Sequence, residues 1–322
     1  MKNPISISVV IPAHNAEETI TRCLDSLKGQ QRPADEIVIV DDCSQDQTAQ
    51  IAQRYGRLIR MDRCRGAGAA RNLGSREAHG NVFAFIDSDC VAPSGWLANI
   101  EQAMQSEETG AVAGGYTGCT NTSFVGRFAF WELVDRRKKF PDKVRTALSN
   151  NLAVRAKLFW EAGAFPETFQ GATLEDMILS YRVSRLSVIR WLANNGVVHR
   201  FPDTISRYAR QQFAFGRDTV AAYAMVPELA HGGTHQGRKI YLETALTGTA
   251  LLAGLFIHPY FVAAALASIW IMNIPLLSLC CKHESPGFAA RAALFIPARD
   301  ALWGASVLWG AVRLLRSNRS YS

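Results

Sequence analysis

Ile5-Ser6-Ile7-Ser8-Val9-Val10-Ile11 begins as an alternation of apolar and polar positions and ends as an unbroken apolar run, the pattern of a strand entering a sheet covered on both faces. Asn15, with Glu18 three residues later, is the expected cap of a helix that carries Ile20, Cys23, Leu24 and Leu27 on one face. Ile37 to Val40 reads as a second strand. It runs into the polar turn Asp41-Asp42-Cys43-Ser44 and then a helix capped by Ser44 or Asp46, with Ile51, Ala52 and Tyr55 on its apolar side. Leu58 to Met61, Val82 to Ile86 and Ala111 to Gly115 follow as strands, and Ala67 to Ala78 and Trp96 to Met104 as helices. This alternation of period 2 and period 3.6 predicts an α/β domain, an open and mostly parallel sheet flanked by helices.

The pattern changes near residue 244. Thr244 to Cys281 is 38 residues without one Lys, Arg, Asp or Glu, broken only by His258-Pro259. That length suits two helices of about 18 residues each, close to the minimum for crossing a hydrocarbon core, so a membrane hairpin over 244–281 is expected. One span plus an interfacial helix, or a soluble bundle, is the alternative. Residues 289–315 mix Arg291, Arg299, Asp300 and Arg313 with Leu294, Phe295, Trp303 and Trp309, which predicts a helix lying in the membrane interface. Arg313, Arg316 and Arg319 then place the preceding domain on the cytoplasmic side. The expected division is an α/β domain over 1–225, a linker over 226–240 and a membrane-associated helical region over 241–322.

Charge and cysteines narrow the classes further. The net charge is +7, and its excess lies in Arg182, Arg185, Arg190, Arg200, Arg207, Arg210 and Arg217, set against Asp203 alone. There is no basic tail and no nucleic-acid motif, so no nucleic-acid partner is expected. Anionic lipid head groups or an acceptor phosphate are candidate partners for these arginines, as is plain solvation. Seven cysteines at scattered spacings, without a CxxC pair, predict neither a disulfide framework nor a zinc site and suit a reducing compartment. Ile5 to Ile11, broken by Pro12 and His14, is too short for a signal-peptide core, so no export of the front domain is expected.

In an open parallel sheet the ligand crevice lies beyond the carboxyl ends of the strands. Here the first strand ends in Pro12-Ala13-His14-Asn15, the second in Asp41-Asp42 and the fourth in Asp87-Ser88-Asp89. Helix capping explains such residues one at a time; together they outline a site. Asp87 and Asp89 cannot both be buried and unpaired, and a Mg²⁺ or Mn²⁺ ion with phosphate oxygens completes such a pair, whereas a surface turn is the bland alternative. Gly66-Ala67-Gly68-Ala69-Ala70-Arg71-Asn72 lets backbone approach a ligand and sets Arg71 within reach of a diphosphate. It is not a dinucleotide fingerprint, because Arg71 stands where the third glycine belongs.

In order and spacing, Val9 to Asn15, Ile37 to Asp46, Gly66 to Asn72 and Phe85 to Asp89 resemble the family 2 glycosyltransferases with the GT-A fold. The resemblance continues through Asn150 to Arg155, Gly163 to Glu167 and Leu174-Glu175-Asp176, over about the first 220 residues. It implies a nucleotide-diphospho-sugar donor gripped around Pro12, Ala13, Asn15, Asp41, Asp42, Gly66, Arg71, Asp87 and Ser88. It also implies a divalent Mn²⁺ or Mg²⁺ ion held by Asp89 with Asp87, and by His199 of Val197-Val198-His199. Asp176, beside Glu175, becomes the general base of an inverting transfer to an acceptor hydroxyl, with a lipid-linked or cell-envelope glycan as the expected acceptor. Spacing alone also allows Glu175-Asp176 to be a helix-dipole pair and His199 a half-buried strand residue.

Gln211 to Arg217 offers Gln without the Arg and Trp of the processive Gln-x-x-Arg-Trp motif, so a single transfer per encounter is expected. Two rivals remain on sequence grounds: a non-catalytic membrane adaptor of the same fold, and a NAD-binding oxidoreductase.

Overall fold

The structure is a computed structural model that describes residues 4–138, 140–168, 174–231, 241–249 and 258–319. The chain divides into two compact units, Met1–Thr120 with Phe140–Arg200, and Asn121–Lys139 with Phe201–Ser322. Residues 121–139 and the long helix after 200 fall in the second of these units.

The first unit is built on one nine-stranded sheet. Its strands are β1 (Ile7–Ala13), β2 (Glu36–Asp41), β3 (Arg57–Arg60), β4 (Val82–Ile86), β5 (Cys90–Val91), β6 (Thr109–Cys119), β7 (Lys143–Val144), β8 (Asn151–Arg155) and β9 (Val188–His199). The order is β3-β2-β1-β4-β8-β6-β9-β5, with β7 paired to β9. β3, β2, β1 and β4 run parallel, as do β6 and β9, but β8 lies antiparallel to both β4 and β6. β5 and β7 are antiparallel to β9. The sheet is therefore mixed, not mostly parallel. The expectation erred because the antiparallel strands β5, β7 and β8 were not among those the apolar pattern predicted.

Helices α1 (Ile20–Lys28), α2 (Thr48–Ala52), α3 (Ala67–Glu77), α4 (Trp96–Met104), α6 (Ala156–Glu161) and α7 (Glu175–Leu186) flank this sheet. Ile20, Cys23, Leu24 and Leu27 of α1 are buried in a core with Val9, Ile11, Ala84, Trp96 and Ile100. A second core gathers Val10, Phe83, Phe85, Leu152, Phe159, Phe165 and Leu179. Burying large apolar side chains stabilises by about 1.5–3 kcal/mol each, which is what offsets the ordering of the intervening loops. Asn15 does not cap α1. The helix begins at Ile20, and Asn15, at φ +47°, spends its side-chain oxygen on the Gln45 backbone N–H.

The second unit contains α5 (Phe124–Arg137), α8 (Ile205–Met225), a 3-10 turn over Pro227–His231, helical residues 241–249 (α9), α10 (Tyr260–Met272), α11 (Ile274–His283) and α12 (Pro286–Arg319). Most of the expected linker, residues 232–240, and residues 250–257 of the expected hairpin lie outside the described residues. Among the described residues no single helix is long and apolar enough to cross a membrane. α10 and α11, bent by 62°, pass together on length and composition.

α12 is one continuous helix. Phe288, Ala292, Ile296, Arg299 and Trp303, spaced by three or four residues, bury one face of it. Arg299 sits among three acids, donating to Glu132 of α5, to Glu243 of α9 and to its neighbour Asp300. Arg136 donates to Glu132 in turn. Taking such charges out of water is tolerated only because each has a partner of opposite sign.

Candidate active site

Because β1, β2, β4, β6 and β9 share one direction and β8 opposes them, the carboxyl ends of the first five and the start of β8 lie on one rim. That rim receives Pro12 to Asn15, Asp41-Asp42, Asp87-Ser88-Asp89, Tyr116, Ser149 to Asn151 and His199.

Pro12 and Ala13 end β1, paired in register with Val40 and Asp41. Asp41 is fully buried; its carboxylate accepts from the Ser44 backbone N–H at 3.1 Å and from Arg60 Nε at 3.3 Å. Asp42 does something the sequence did not reveal. Its two oxygens accept the backbone N–H groups of Arg65 and Gly66 at 2.8 Å each, tying the β2 turn to the loop that opens α3. Gly66 stands at φ +88°, a backbone conformation open to glycine without strain.

A disulfide between Cys43 and Cys64, with Cα atoms 5.3 Å apart, spans the same two loops. The cysteine spacings, which predicted no disulfide framework, gave no sign of this single bond. The 21-residue separation matches no motif; the pair forms because parallel β2–β3 pairing sets Asp41 opposite Arg60 and so brings both following loops together.

Arg71 and Asn72, consecutive on α3, serve two different partners. Asn72 donates to the Phe165 carbonyl and to Glu167 and accepts from the Phe165 N–H, holding that loop. Arg71, 1% exposed, donates through Nη2 to Asp87 at 2.6 Å and through Nη1 to Glu175 at 3.2 Å. The guanidinium, which the resemblance implies beside the donor diphosphate, is enclosed here in an ion-paired bridge. Gly68, one turn earlier, makes room for this: a Cβ there would press to 3.3 Å from both Glu175 Cγ and the Pro166 carbonyl.

Asp89 differs from its neighbour. Its side chain is 37% exposed, with Oδ1 3.3 Å from His199 Nε2. Burial pushes its carboxyl up, but the His199 imidazole outweighs this and holds it below the ordinary aspartate range. Carboxylate, imidazole and the Cys90 thiol offer ligand atoms within 4.8 Å of one another. Oxygen from Asp89 and nitrogen from His199 is a donor set that suits Mn²⁺ and tolerates Mg²⁺. Tyr116 packs its ring 5.3 Å from that of His199 and accepts a hydrogen bond from Asn150, a placement that sequence did not suggest.

Glu175 and Asp176 open α7, both buried. Asp176 Oδ2 accepts from the Ser149 N–H at 3.2 Å, while Oδ1, equally shielded, has no hydrogen-bond partner among the described residues. Burial first, and the Glu175 charge second, push this carboxyl up to about 7, against the opposing pull of Arg71. A carboxylate with one idle oxygen and a pKa near neutrality is equipped to take a proton.

Residues 8–161 match the family model described as Glycosyl transferase family 2. The chain carries a family 2 glycosyltransferase domain. Glycosyltransferase AglE of Haloferax volcanii is 28% identical to it over 170 residues, 50% of this chain and 56% of AglE. The UDP-Glc:alpha-D-GlcNAc-diphosphoundecaprenol beta-1,3-glucosyltransferase WfgD of Escherichia coli is 31% identical over 130 residues, 38% of this chain and 50% of WfgD. The chain thus spans about half the length of these relatives. Among solved structures, the mannosyltransferase PcManGT of Pyrobaculum calidifontis, in complex with GDP-Man and Mn²⁺, superposes with a TM-score of 0.57. It does so at 18% identity over 95% of this chain and 88% of that one, a likeness of fold. In this family 2 glycosyltransferase domain, then, the four motifs of the sequence meet on one rim.

Closing a loop of about 20 residues, the Cys43–Cys64 bond should contribute about 3 kcal/mol to stability. Reduction, or Cys43→Ser, is expected to lower the unfolding free energy by that amount in urea titrations; an unchanged midpoint contradicts a structural role for the bond.

Proposed function

We propose that the chain transfers a sugar from a nucleotide-diphospho-sugar to an acceptor hydroxyl, with inversion at the anomeric carbon and dependence on a divalent ion. The observation that carries this reading is the idle, buried Oδ1 of Asp176, on the carboxylate whose pKa stands near 7. Asp176 Oδ1 takes the proton of the acceptor hydroxyl as that oxygen attacks the anomeric carbon, and the bond to the diphosphate breaks on the opposite face. Asp89 and His199 would hold Mn²⁺ or Mg²⁺, which supplies positive charge for the leaving diphosphate. Asp41 and the turn pinned by Asp42 provide the walls for the nucleotide, beside Pro12, Ala13, Asn15 and Gly66. Asp87 and Ser88 line the approach to Asp89. No covalent intermediate on the protein is required.

The acceptor in this reading is a lipid-linked or cell-envelope glycan. WfgD is named for transfer from UDP-Glc to a diphosphoundecaprenol-linked GlcNAc, and PcManGT is seen with GDP-Man, so relatives and fold neighbours suit both a lipid-linked acceptor and a nucleotide-sugar donor. The second unit supports a membrane location. Tyr260, Phe261, Trp270, Ile271, Leu294, Leu308, Trp309 and Leu315 are all exposed there, an apolar surface that suits the interfacial region of a bilayer. Arg313 and Arg316 near its end follow the positive-inside bias and support a cytoplasmic side for the catalytic domain in this reading.

In the full chain, Asp176→Asn and Asp89→Ala are each expected to lower metal-dependent transfer or donor hydrolysis by at least about 100-fold. Because the base must be deprotonated to act, wild-type kcat should rise with pH through about 7 and level off above it. Full activity in Asp176→Asn, or a flat profile from pH 5 to 9, contradicts the reading. For the membrane, flotation with vesicles containing anionic lipid should carry the full chain upward, and Leu308→Glu with Trp309→Glu should reduce the floated fraction. A wild-type chain that stays at the bottom opposes the assignment.

A further inference from the structure

We infer that Arg71 is a positioning residue that locks the acid pair opening α7 to the Asp87-Ser88-Asp89 turn, and is not a ligand of the donor diphosphate. This deepens the transferase reading above and rests on it.

The geometry is that of a bridge. The two terminal nitrogens of Arg71 are occupied by carboxylates from chain segments 16 and 104 residues away, at the end of β4 and the start of α7. The planar guanidinium fork is the side chain suited to two such partners at once; a lysine ammonium is a single point charge on a flexible stem. At 1% exposure the group is not presented to a ligand in the cleft. Among the described residues its Nε has no hydrogen-bond partner, and the Phe165 ring lies 5.4 Å from the guanidinium carbon on a loop fixed by Asn72.

Each of its acids neighbours a residue with a proposed chemical task. Asp87 stands two residues before Asp89, and Glu175 immediately precedes Asp176. Arg71 therefore spans the donor side and the acceptor side of the reaction. A displacement of about 1 Å between reacting groups costs on the order of 100-fold in rate, so loosening this bridge should act on turnover while leaving the nucleotide's own contacts in place. The same cation also opposes the upward push on the Asp176 carboxyl.

A diphosphate ligand and an internal bridge predict opposite results. In the full chain, Arg71→Lys, Arg71→Met and Glu175→Gln are compared with wild type for kcat, for donor KM, and for the Kd of UDP and of GDP in the presence of Mn²⁺. The bridge predicts kcat lower by about 100-fold in Arg71→Lys, with nucleotide Kd within about threefold of wild type. It also predicts that the losses in Arg71→Lys and Glu175→Gln do not add in the double variant, since both break one contact. Nucleotide affinity weakened tenfold or more with kcat retained makes Arg71 a diphosphate ligand and overturns the inference. Unchanged kcat and Kd overturn it equally.

If Arg71→Met fails to show cooperative unfolding, Glu175→Gln, which preserves side-chain length, decides the matter: retained kcat contradicts the bridge. A wild-type chain that turns over no nucleotide sugar contradicts the transferase reading instead. The Arg71 assignment then stands or falls on nucleotide affinity, a tenfold loss overturning it.

Discussion

Six carboxylates, Asp41, Asp42, Asp87, Asp89, Glu175 and Asp176, are crowded onto one rim of the sheet, and the site depends on how their mutual repulsion is relieved. Each is answered by a different chemistry. Asp42 is met by two backbone N–H groups, Asp41 by its own turn and Arg60, Asp87 and Glu175 by the two arms of Arg71, and Asp89 by His199. Asp176 keeps a buried oxygen, Oδ1, without a hydrogen-bond partner among the described residues. An acid left under-compensated in a low-dielectric setting holds its proton to higher pH, so the uneven sharing of counter-charge turns a cluster of similar groups into distinct roles. The buried acids hold loops; Asp89, with its partial exposure, is the one placed to exchange a side-chain contact for an ion.

The second unit meets the same constraint with another result. Arg299 is enclosed by Glu132, Glu243 and Asp300, a closed set of charges that fastens α12 to α5 and α9. The sequence shows these charges as interruptions of an apolar tail. In the fold Arg299 and Asp300 lie on the packed face of α12, and Leu294, Leu308 and Leu315 are left on its exposed side. The packed face thus holds one charged pair, Arg299 and Asp300, among Phe288, Ile296 and Trp303, while Arg291, Arg313 and Arg316 are exposed.

Much of the first unit could be read before its structure. Val82–Ile86 and Trp96–Met104 have the bounds that periodicity predicted, because a short apolar run between polar turns and a one-sided helical stripe are both local signals. The rim acids were legible for a related reason: polar residues directly after buried strands have to lie at a sheet end. What sequence could not supply was direction and distance. Asn151–Arg155 was not among the strands that periodicity predicted, and its antiparallel place between β4 and β6 is visible only in the fold. Arg71 reads as a phosphate-seeking arginine among small residues, since Glu175 lies 104 residues further on. The Asp42 clasp on Gly66 and the Cys43–Cys64 bond were illegible on the same account, both being consequences of how β2 and β3 pair.

The central claim, that the counter-charges of this rim leave Asp89 and Asp176 open to ligands, is tested most directly by anomalous X-ray scattering from crystals grown with Mn²⁺ and a nucleoside diphosphate. The account predicts one manganese peak bonded to Asp89 and to diphosphate oxygens, with the base against Asp41 and Arg71 still joined to Asp87 and Glu175. Manganese and nucleotide bound away from Asp89, or Arg71 swung out onto the diphosphate, would contradict it.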